Sequence, residues 1–60
     1  MKTYVLLREK KTEAGSVWTI DRVTNNYDEI KKDLQSLTNV FRCKVETWEN
    51  SAYIETINYN

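Results

Sequence analysis

The spacing of apolar residues changes twice along this chain, and that change limits the folds it can adopt. Between residues 26 and 39, apolar side chains recur at i, i+4 and i+7 (Ile30, Leu34 and Leu37), which is the period of an amphipathic helix. The segments on both sides instead alternate between apolar and polar residues and are rich in β-branched and aromatic types. The sequence therefore predicts one helix with strands before and after it.

Four strands are expected, two on each side of the helix. Residues 3–9 and 17–23 form the first pair, and Gly15 lies in their connection, where its missing Cβ permits a positive φ angle. Residues 40–48 and 53–59 form the second pair, joined by a short polar turn at residues 49–51. The predicted fold class is α+β, with the element order β-β-α-β-β.

Both ends of the predicted helix carry sequence signals. Asn26 is expected to cap the first turn, with Glu29 three residues later completing a capping box. Asp28 and Glu29 also favour the positive end of the helix dipole. Asn39 is expected to end the helix in a left-handed conformation.

The element order also predicts how the pieces pack. Because the helix starts where strand two ends, strand three is expected to run in the same direction as strand two, with the helix on one face of a four-stranded sheet. Sixty residues leave no room for a second core, so residues 1–60 are expected to form a single domain. This order resembles that of the β-grasp domains, such as small immunoglobulin-binding domains, whose sheet order is 2-1-4-3. The order 2-1-3-4 stays open, and no motif transfers a functional residue from that family.

One helix covers only one face of a sheet, so each strand sends alternate residues to it. The residues expected to face the helix are Val5, Leu7, Trp18, Ile20, Phe41, Cys43, Val45, Ala52 and Ile54, with Tyr27 closing the edge. The outer face is then expected to carry Tyr4, Leu6, Arg8, Val17, Thr19, Asp21, Arg42, Lys44, Glu46, Trp48, Tyr53, Glu55, Ile57 and Tyr59. A shift or bulge in strand four would instead turn Tyr53, Ile57 and Tyr59 inward and leave Ala52 and Ile54 outside.

The expected outer face is unusually apolar for a surface open to solvent. Large exposed apolar patches rimmed by charge usually mark contact sites, and aromatic residues with arginine dominate interface hot spots. The alternative is a purely structural role, in which cross-strand aromatic pairs stabilise the sheet. The predicted binding residues are Tyr4, Leu6, Arg8, Arg42, Lys44, Trp48, Tyr53, Ile57 and Tyr59.

The composition argues against an enzyme. The chain has no histidine and a single cysteine, Cys43, which excludes imidazole bases, imidazole metal sites and disulfides within the chain. Cys43 lies between Phe41 and Val45 on the expected core side, where a thiol is inert. A non-catalytic protein without a cofactor or a bound metal is therefore expected.

Two function classes remain, besides a soluble domain whose role the sequence does not indicate. The first is a protein-binding module that uses the open sheet face or an edge strand. Its partner would be its own copy, forming a homodimer, or another protein, as in a small phage-type inhibitor of a host enzyme. The second is a single-stranded nucleic-acid platform that stacks bases on the aromatic residues. Acidic residues at positions 21, 46 and 55 offset the basic ones on the expected face and disfavour nucleic acid.

The expected location is the cytoplasm. One unpaired cysteine fits a reducing compartment. The amino-terminal stretch MKTYVLLREKK has an apolar run of only about four residues, too short for a signal peptide or a membrane span. No membrane association is therefore expected.

Overall fold

A computed structural model describes residues 1–59 of the chain. Its elements are β1 (Lys2–Thr12), β2 (Gly15–Thr24), α1 (Tyr27–Leu37), β3 (Cys43–Glu49) and β4 (Ala52–Tyr59). The predicted α+β class and the order β-β-α-β-β are confirmed. Within the described range, no helix is long and apolar enough to cross a membrane.

The four strands form one sheet in the order β2-β1-β3-β4, and every neighbouring pair is antiparallel. Because β2 and β3 both run opposite to β1, they run in the same direction, as the sequence predicts. The order is the open alternative 2-1-3-4 and not the 2-1-4-3 of β-grasp domains. The resemblance to that family therefore stops at the element order.

The β1–β2 hairpin extends beyond the part of β1 that pairs with β3. β1 pairs with β3 only from Lys2 to Arg8, whereas its pairing with β2 continues to Thr12 and Gly15. The distal part of the β1–β2 hairpin thus projects as a two-stranded arm, and the molecule measures 38 × 22 × 15 Å. This arm leaves part of the β1 edge beside the α1–β3 loop without a strand opposite it.

Both hairpin connections contain residues with positive φ angles. Gly15 has a φ of 131°, as its place in the first hairpin predicts. Asn50 and Ser51 have φ values of 51° and 67°, the positive angles that a two-residue type I′ hairpin turn requires at both central positions.

Asn39 does not end the helix in the left-handed region, so that prediction is wrong. The helix ends at Leu37, and the cap residue Thr38 keeps a right-handed conformation. Its backbone N–H and its hydroxyl both donate to the Leu34 carbonyl. The Asn39 side chain donates to the Gln35 carbonyl at 3.2 Å, so Thr38 and Asn39 together satisfy carbonyls at the helix end without a left-handed residue.

The start of the helix is capped as predicted, but the capping box does not form. The Asn26 side chain accepts a hydrogen bond from the Asp28 N–H at 3.0 Å. The Asn26 N–H donates to the Thr24 hydroxyl, and the Glu29 carboxylate accepts from Thr24 and Arg22 instead of reaching back to Asn26. The Glu29 carboxylate is therefore bonded to the Arg22 and Thr24 side chains of β2, and not to the backbone N–H of the N-cap residue Asn26.

The core lies between α1 and one face of the sheet. Its buried members are Leu6, Ile30, Leu34, Cys43 and Val45, with Tyr4, Leu37, Phe41 and Tyr59 packed around them. The predictions for the helix residues and for Phe41, Cys43 and Val45 are confirmed. Tyr27 closes one end of this core by packing against Tyr4, with ring centroids 5.0 Å apart and an interplanar angle of 55°.

The face assignment of β1 and β2 is wrong. Leu6, with none of its surface exposed, lies under the helix, whereas Leu7 points to the opposite side. Residues that pair across neighbouring strands point to the same face of the sheet, so the cross-strand partner of Leu7 also points away from the helix. Val5, Leu7, Trp18 and Ile20 therefore lie away from the helix, and Ala52 and Ile54 are exposed.

Two bulges explain part of the error. The pairing Leu6↔Arg22 is followed by Leu7↔Ile20, which leaves Asp21 without a cross-strand partner. On the second hairpin, Thr47↔Glu55 is followed by Trp48↔Tyr53, which leaves out Ile54. An inserted residue reverses the alternation beyond it.

The helix is tied to β2 by a charged cluster. Arg22 Nε contacts the Asp33 carboxylate at 2.5 Å, and its Nη1 lies 3.3 Å from Glu29. The hydrogen bond with Asp33 raises the pKa of Arg22 above its ordinary value, and the negative charge of Asp33 adds to this effect. These contacts place Arg22 on the helix side and fix which face of β2 is left for solvent.

Candidate functional site

The face of the sheet opposite α1 is covered by no other element of residues 1–59. Seven apolar or aromatic side chains share this face, as the strand register and the position of the helix require. We call them the open-face cluster: Val5, Leu7, Trp18, Ile20, Val23, Trp48 and Tyr53. The cluster spans all four strands of the sheet.

The β1–β2 half of the cluster holds its four aliphatic residues and Trp18, and the β2 members are exposed. Val5 pairs with Val23, and Leu7 pairs with Ile20. Ile20 and Val23 keep 61% and 59% of their surface exposed, whereas Leu7 keeps only 9% because neighbouring side chains cover it. The bulge at Asp21 is what brings Ile20 and Val23, three positions apart, to the same face.

The β3–β4 half of the cluster is aromatic. The rings of Trp48 and Tyr53 meet edge to face, with centroids 5.6 Å apart and an interplanar angle of 72°. Trp48 Nε1 donates to a Glu46 carboxylate oxygen at 3.2 Å, and the Tyr53 hydroxyl hydrogen-bonds Thr56 at 2.7 Å. Both polar ends are thus satisfied, and the ring surfaces remain available for contact.

Opposite charges alternate along β3 on this face. The Lys44 ammonium lies 4.4 Å from the centroid of the Trp18 ring, a cation–π contact. Glu46, two residues on, accepts from Trp48. Each of these two charges is engaged by a tryptophan, so β3 contributes a balanced pair of charges to the face.

The structure brings together only some of the predicted binding residues. Lys44, Trp48 and Tyr53 lie on the open face, as expected. Five others lie on the helix side, so their expected placement on the open face is wrong: Tyr4, Leu6, Arg8, Ile57 and Tyr59. The physical reasons are the opposite phase of β1 and the bulge at Ile54.

Three of these five residues, Leu6, Tyr4 and Arg8, contact other side chains on the helix side. Leu6 is fully buried, and the Tyr4 ring packs against the tilted ring of Tyr27. The Arg8 guanidinium lies 4.8 Å from the centroid of the Phe41 ring and pairs with Asp21 at 3.4 Å. These side chains seal the core.

The remaining predicted residue, Arg42, borders a groove beside β1. We call this the edge groove; it has a volume of about 440 Å³ and is lined by Glu9, Lys10, Lys11, Val40, Phe41 and Arg42. It lies between the projecting arm of the first hairpin and the α1–β3 loop. Sequence reasoning missed it because the length difference between β1 and β3 creates it.

Sequence reasoning also missed Trp18, Ile20 and Val23 as members of the open face. Arg22 gives a signal for Val23 alone, because nothing in the sequence marks the bulge at Asp21 that also turns Trp18 and Ile20 outward. Arg22 pairs with two helix carboxylates, Glu29 and Asp33, and it can reach them only from the helix side of β2. Alternation from Arg22 turns the adjacent Val23 outward, whereas Trp18 and Ile20 would share the side of Arg22 if the bulge were absent.

Two titrating groups of the helix side are perturbed. Burial raises the pKa of the Cys43 thiol, and the charge of Asp21 adds to the effect. A side-chain hydrogen bond with Tyr27, together with partial burial, raises the pKa of Tyr59. Both pKa shifts favour the neutral forms of Cys43 and Tyr59, which pack against the core without a buried charge.

Comparison with protein-family models, curated proteins and solved structures finds no match to this chain. In the described part of the chain, no group of three or more His, Cys, Asp or Glu side chains is arranged to hold a metal ion. The open-face cluster and the edge groove are the two surfaces whose geometry supports a functional proposal.

Proposed function

We propose that this protein is a non-catalytic protein-binding module whose open sheet face docks onto a partner protein. The observation that carries the proposal is the open-face cluster itself. In an antiparallel sheet with one covered face, the uncovered face is normally polar. Here that face carries three aromatic and four aliphatic side chains.

Several of these side chains are of the types that dominate protein interfaces. Trp18, Trp48 and Tyr53 have large, rigid surfaces with few rotatable bonds, and such residues form most interface hot spots. The 38 × 22 Å dimensions of the molecule give its broad face a footprint comparable with the ~800 Å² that each partner buries in a standard interface. The face is therefore large enough for a specific contact.

The charges of the face favour a protein over a nucleic acid. A single-stranded nucleic-acid platform needs a positive track beside its stacking residues. Lys44 is engaged with Trp18, and Glu46 lies beside Trp48, so phosphates would meet an acidic group next to an aromatic ring. The partner is either a second copy of this chain or a different protein, and the experiment separates these two cases.

The test compares the tagged wild-type chain with two matched double variants. Trp18→Ser with Ile20→Ser changes the open face, whereas Lys32→Ser with Gln35→Ser changes the exposed side of α1. Bound proteins are captured from cells that express the chain, and circular dichroism verifies that each variant is folded. A captured protein is then purified and titrated against all three chains, and sedimentation of the chain alone detects binding to its own copy.

The wild type and the helix variant are expected to bind the same partner. The open-face variant is expected to bind it at least about tenfold more weakly, because removal of one hot-spot side chain typically costs more than ~1.4 kcal/mol. Equal affinity of all three chains would contradict the proposal. Absence of any partner, including a second copy, would leave only the structural role of the cluster.

A further inference from the structure

We propose that the edge groove is a second, separate binding site that takes an acidic segment of a partner chain in extended conformation, as a short strand added beside β1. The inference does not depend on the function of the open face. It rests on the free backbone of β1, on the charge of the groove and on its apolar wall.

The backbone of β1 is open to pairing at the groove. The last contact between β1 and the β3 side is the hydrogen bond from the Glu9 N–H to the Arg42 carbonyl, at 2.8 Å. Groups two residues apart in a strand point to the same side, so Lys11 presents its N–H and its carbonyl to the groove. No described strand lies opposite Lys11 on that side. An incoming strand can satisfy both groups, as in β-strand addition.

The groove is basic and has an apolar wall. Lys10, Lys11 and Arg42 supply three cations against the single carboxylate of Glu9. None of these three cations forms an ion pair with another residue in the range 1–59. The wall is formed by Phe41 and by Val40, which keeps 74% of its surface exposed.

The strand geometry predicts the pattern of the bound segment. Side chains of an added strand alternate between the helix side, where Phe41 lies, and the open-face side, where Lys11 lies. A segment in which acidic and apolar residues alternate would place its carboxylates on the side of Lys11 and its apolar groups on the side of Phe41. The recognised chemistry is therefore an extended, alternating acidic and apolar peptide.

The same features disfavour a nucleic acid in the groove. An added strand donates an N–H group to the Lys11 carbonyl, whereas a phosphodiester backbone provides acceptors but no N–H group. A peptide supplies donors and acceptors at the strand spacing. Glu9 would also repel phosphates at the point where the groove meets β3.

The experiment measures fluorescence anisotropy of labelled peptides with the full chain. The probe is fluorescein-labelled Glu-Val-Glu-Val-Glu, and the comparison peptides are Lys-Val-Lys-Val-Lys and the rearranged Glu-Glu-Glu-Val-Val. Two further probes carry N-methyl groups, one on the valines and one on the glutamates. The matched double variants are Lys11→Glu with Arg42→Glu in the groove, and Lys31→Glu with Lys32→Glu on α1, which carry the same change of charge.

The alternating acidic peptide is expected to bind the wild type and the helix variant. The groove variant is expected to bind it at least about tenfold more weakly, and higher salt should weaken binding to the wild type. One N-methylated peptide should lose affinity while the other keeps it, because an added strand bonds to β1 through one edge only.

Equal affinity of the two N-methylated peptides would overturn strand addition, and equal binding of the basic or the rearranged peptide would overturn the predicted pattern. A labelled oligothymidylate of about ten nucleotides, tested in the same way, should not bind. Tighter binding of the oligothymidylate than of the acidic peptide, lost in the groove variant, would make the groove a nucleic-acid site and refute the proposal.

Discussion

The substitution Leu6→Ala tests the assignment of the two sheet faces, because Leu6 and Ile20 exchange roles between the sequence prediction and the structure. Leu6 is fully buried under α1, in contact with the core around Ile30 and Val45. Ile20 lies on the open face with 61% of its surface exposed. The sequence pattern alone predicted Ile20 inside and Leu6 outside.

The expected energies differ enough to be measured. Truncation of a fully buried leucine to alanine costs ~2–5 kcal/mol, so we expect Leu6→Ala to lower the free energy of unfolding by about 3 kcal/mol. Ile20→Thr keeps a β-branched residue and removes little buried surface, so a loss of about 1 kcal/mol or less is expected. A chain of this length has roughly 3–9 kcal/mol of stability, so the first change removes a third or more of it.

Urea denaturation followed by far-ultraviolet circular dichroism measures both variants. The Leu6→Ala midpoint should fall strongly with an unchanged slope, or the variant should be unfolded without urea, whereas Ile20→Thr should stay close to the wild type. Equal losses, or a larger loss for Ile20→Thr, would refute the placement of Leu6 under the helix.

Three further predictions concern charged and titrating groups. The buried Cys43 thiol, whose pKa is raised by burial, should react with a disulfide reagent at pH 8 much more slowly in the folded chain than in urea, and immediate reaction of the folded chain would contradict its burial. Arg22→Met should lower the melting temperature at low salt, with a smaller difference in high salt, and identical melting temperatures at low salt would show that the contacts with Asp33 do not stabilise the fold. Because its contact with Tyr27 raises the folded-state pKa of Tyr59, its contribution to stability is present below the ordinary tyrosine pKa of ~10 and is lost as the pH rises through the folded value. Absorbance at 295 nm should show one tyrosine ionising later than the others in the wild type but not in Tyr59→Phe, and identical titration curves for the two chains would contradict the shift.

The elements of this fold could be predicted because each has a local signal. The period of Ile30, Leu34 and Leu37 identified the helix, and Gly15 identified the first hairpin connection. Hydrogen bonding by Asn26 at the helix start is likewise a local interaction, made within two residues. Such signals do not depend on which face of the sheet the helix covers.

The face assignment could not be predicted because apolar residues occupy both phases of β1. Val5, Leu6 and Leu7 are consecutive, so hydrophobicity does not decide which of them turns inward. The choice depends on the salt bridge between Arg22 and α1 and on two bulges, which are tertiary features. The edge groove depends in turn on where β3 starts relative to β1, and strand ends are the least certain part of a pattern-based prediction.

Site-specific photocrosslinking is the most direct test of the open face as a protein-binding surface. A benzophenone amino acid is placed at position 20 on the open face, or at position 35 on the exposed side of α1, in cells that express the chain. We predict a discrete crosslinked species, either a dimer of the chain or a complex with another protein, from position 20 and not from position 35. Crosslinks from neither position, or the same products from both, would contradict a binding role for the open face.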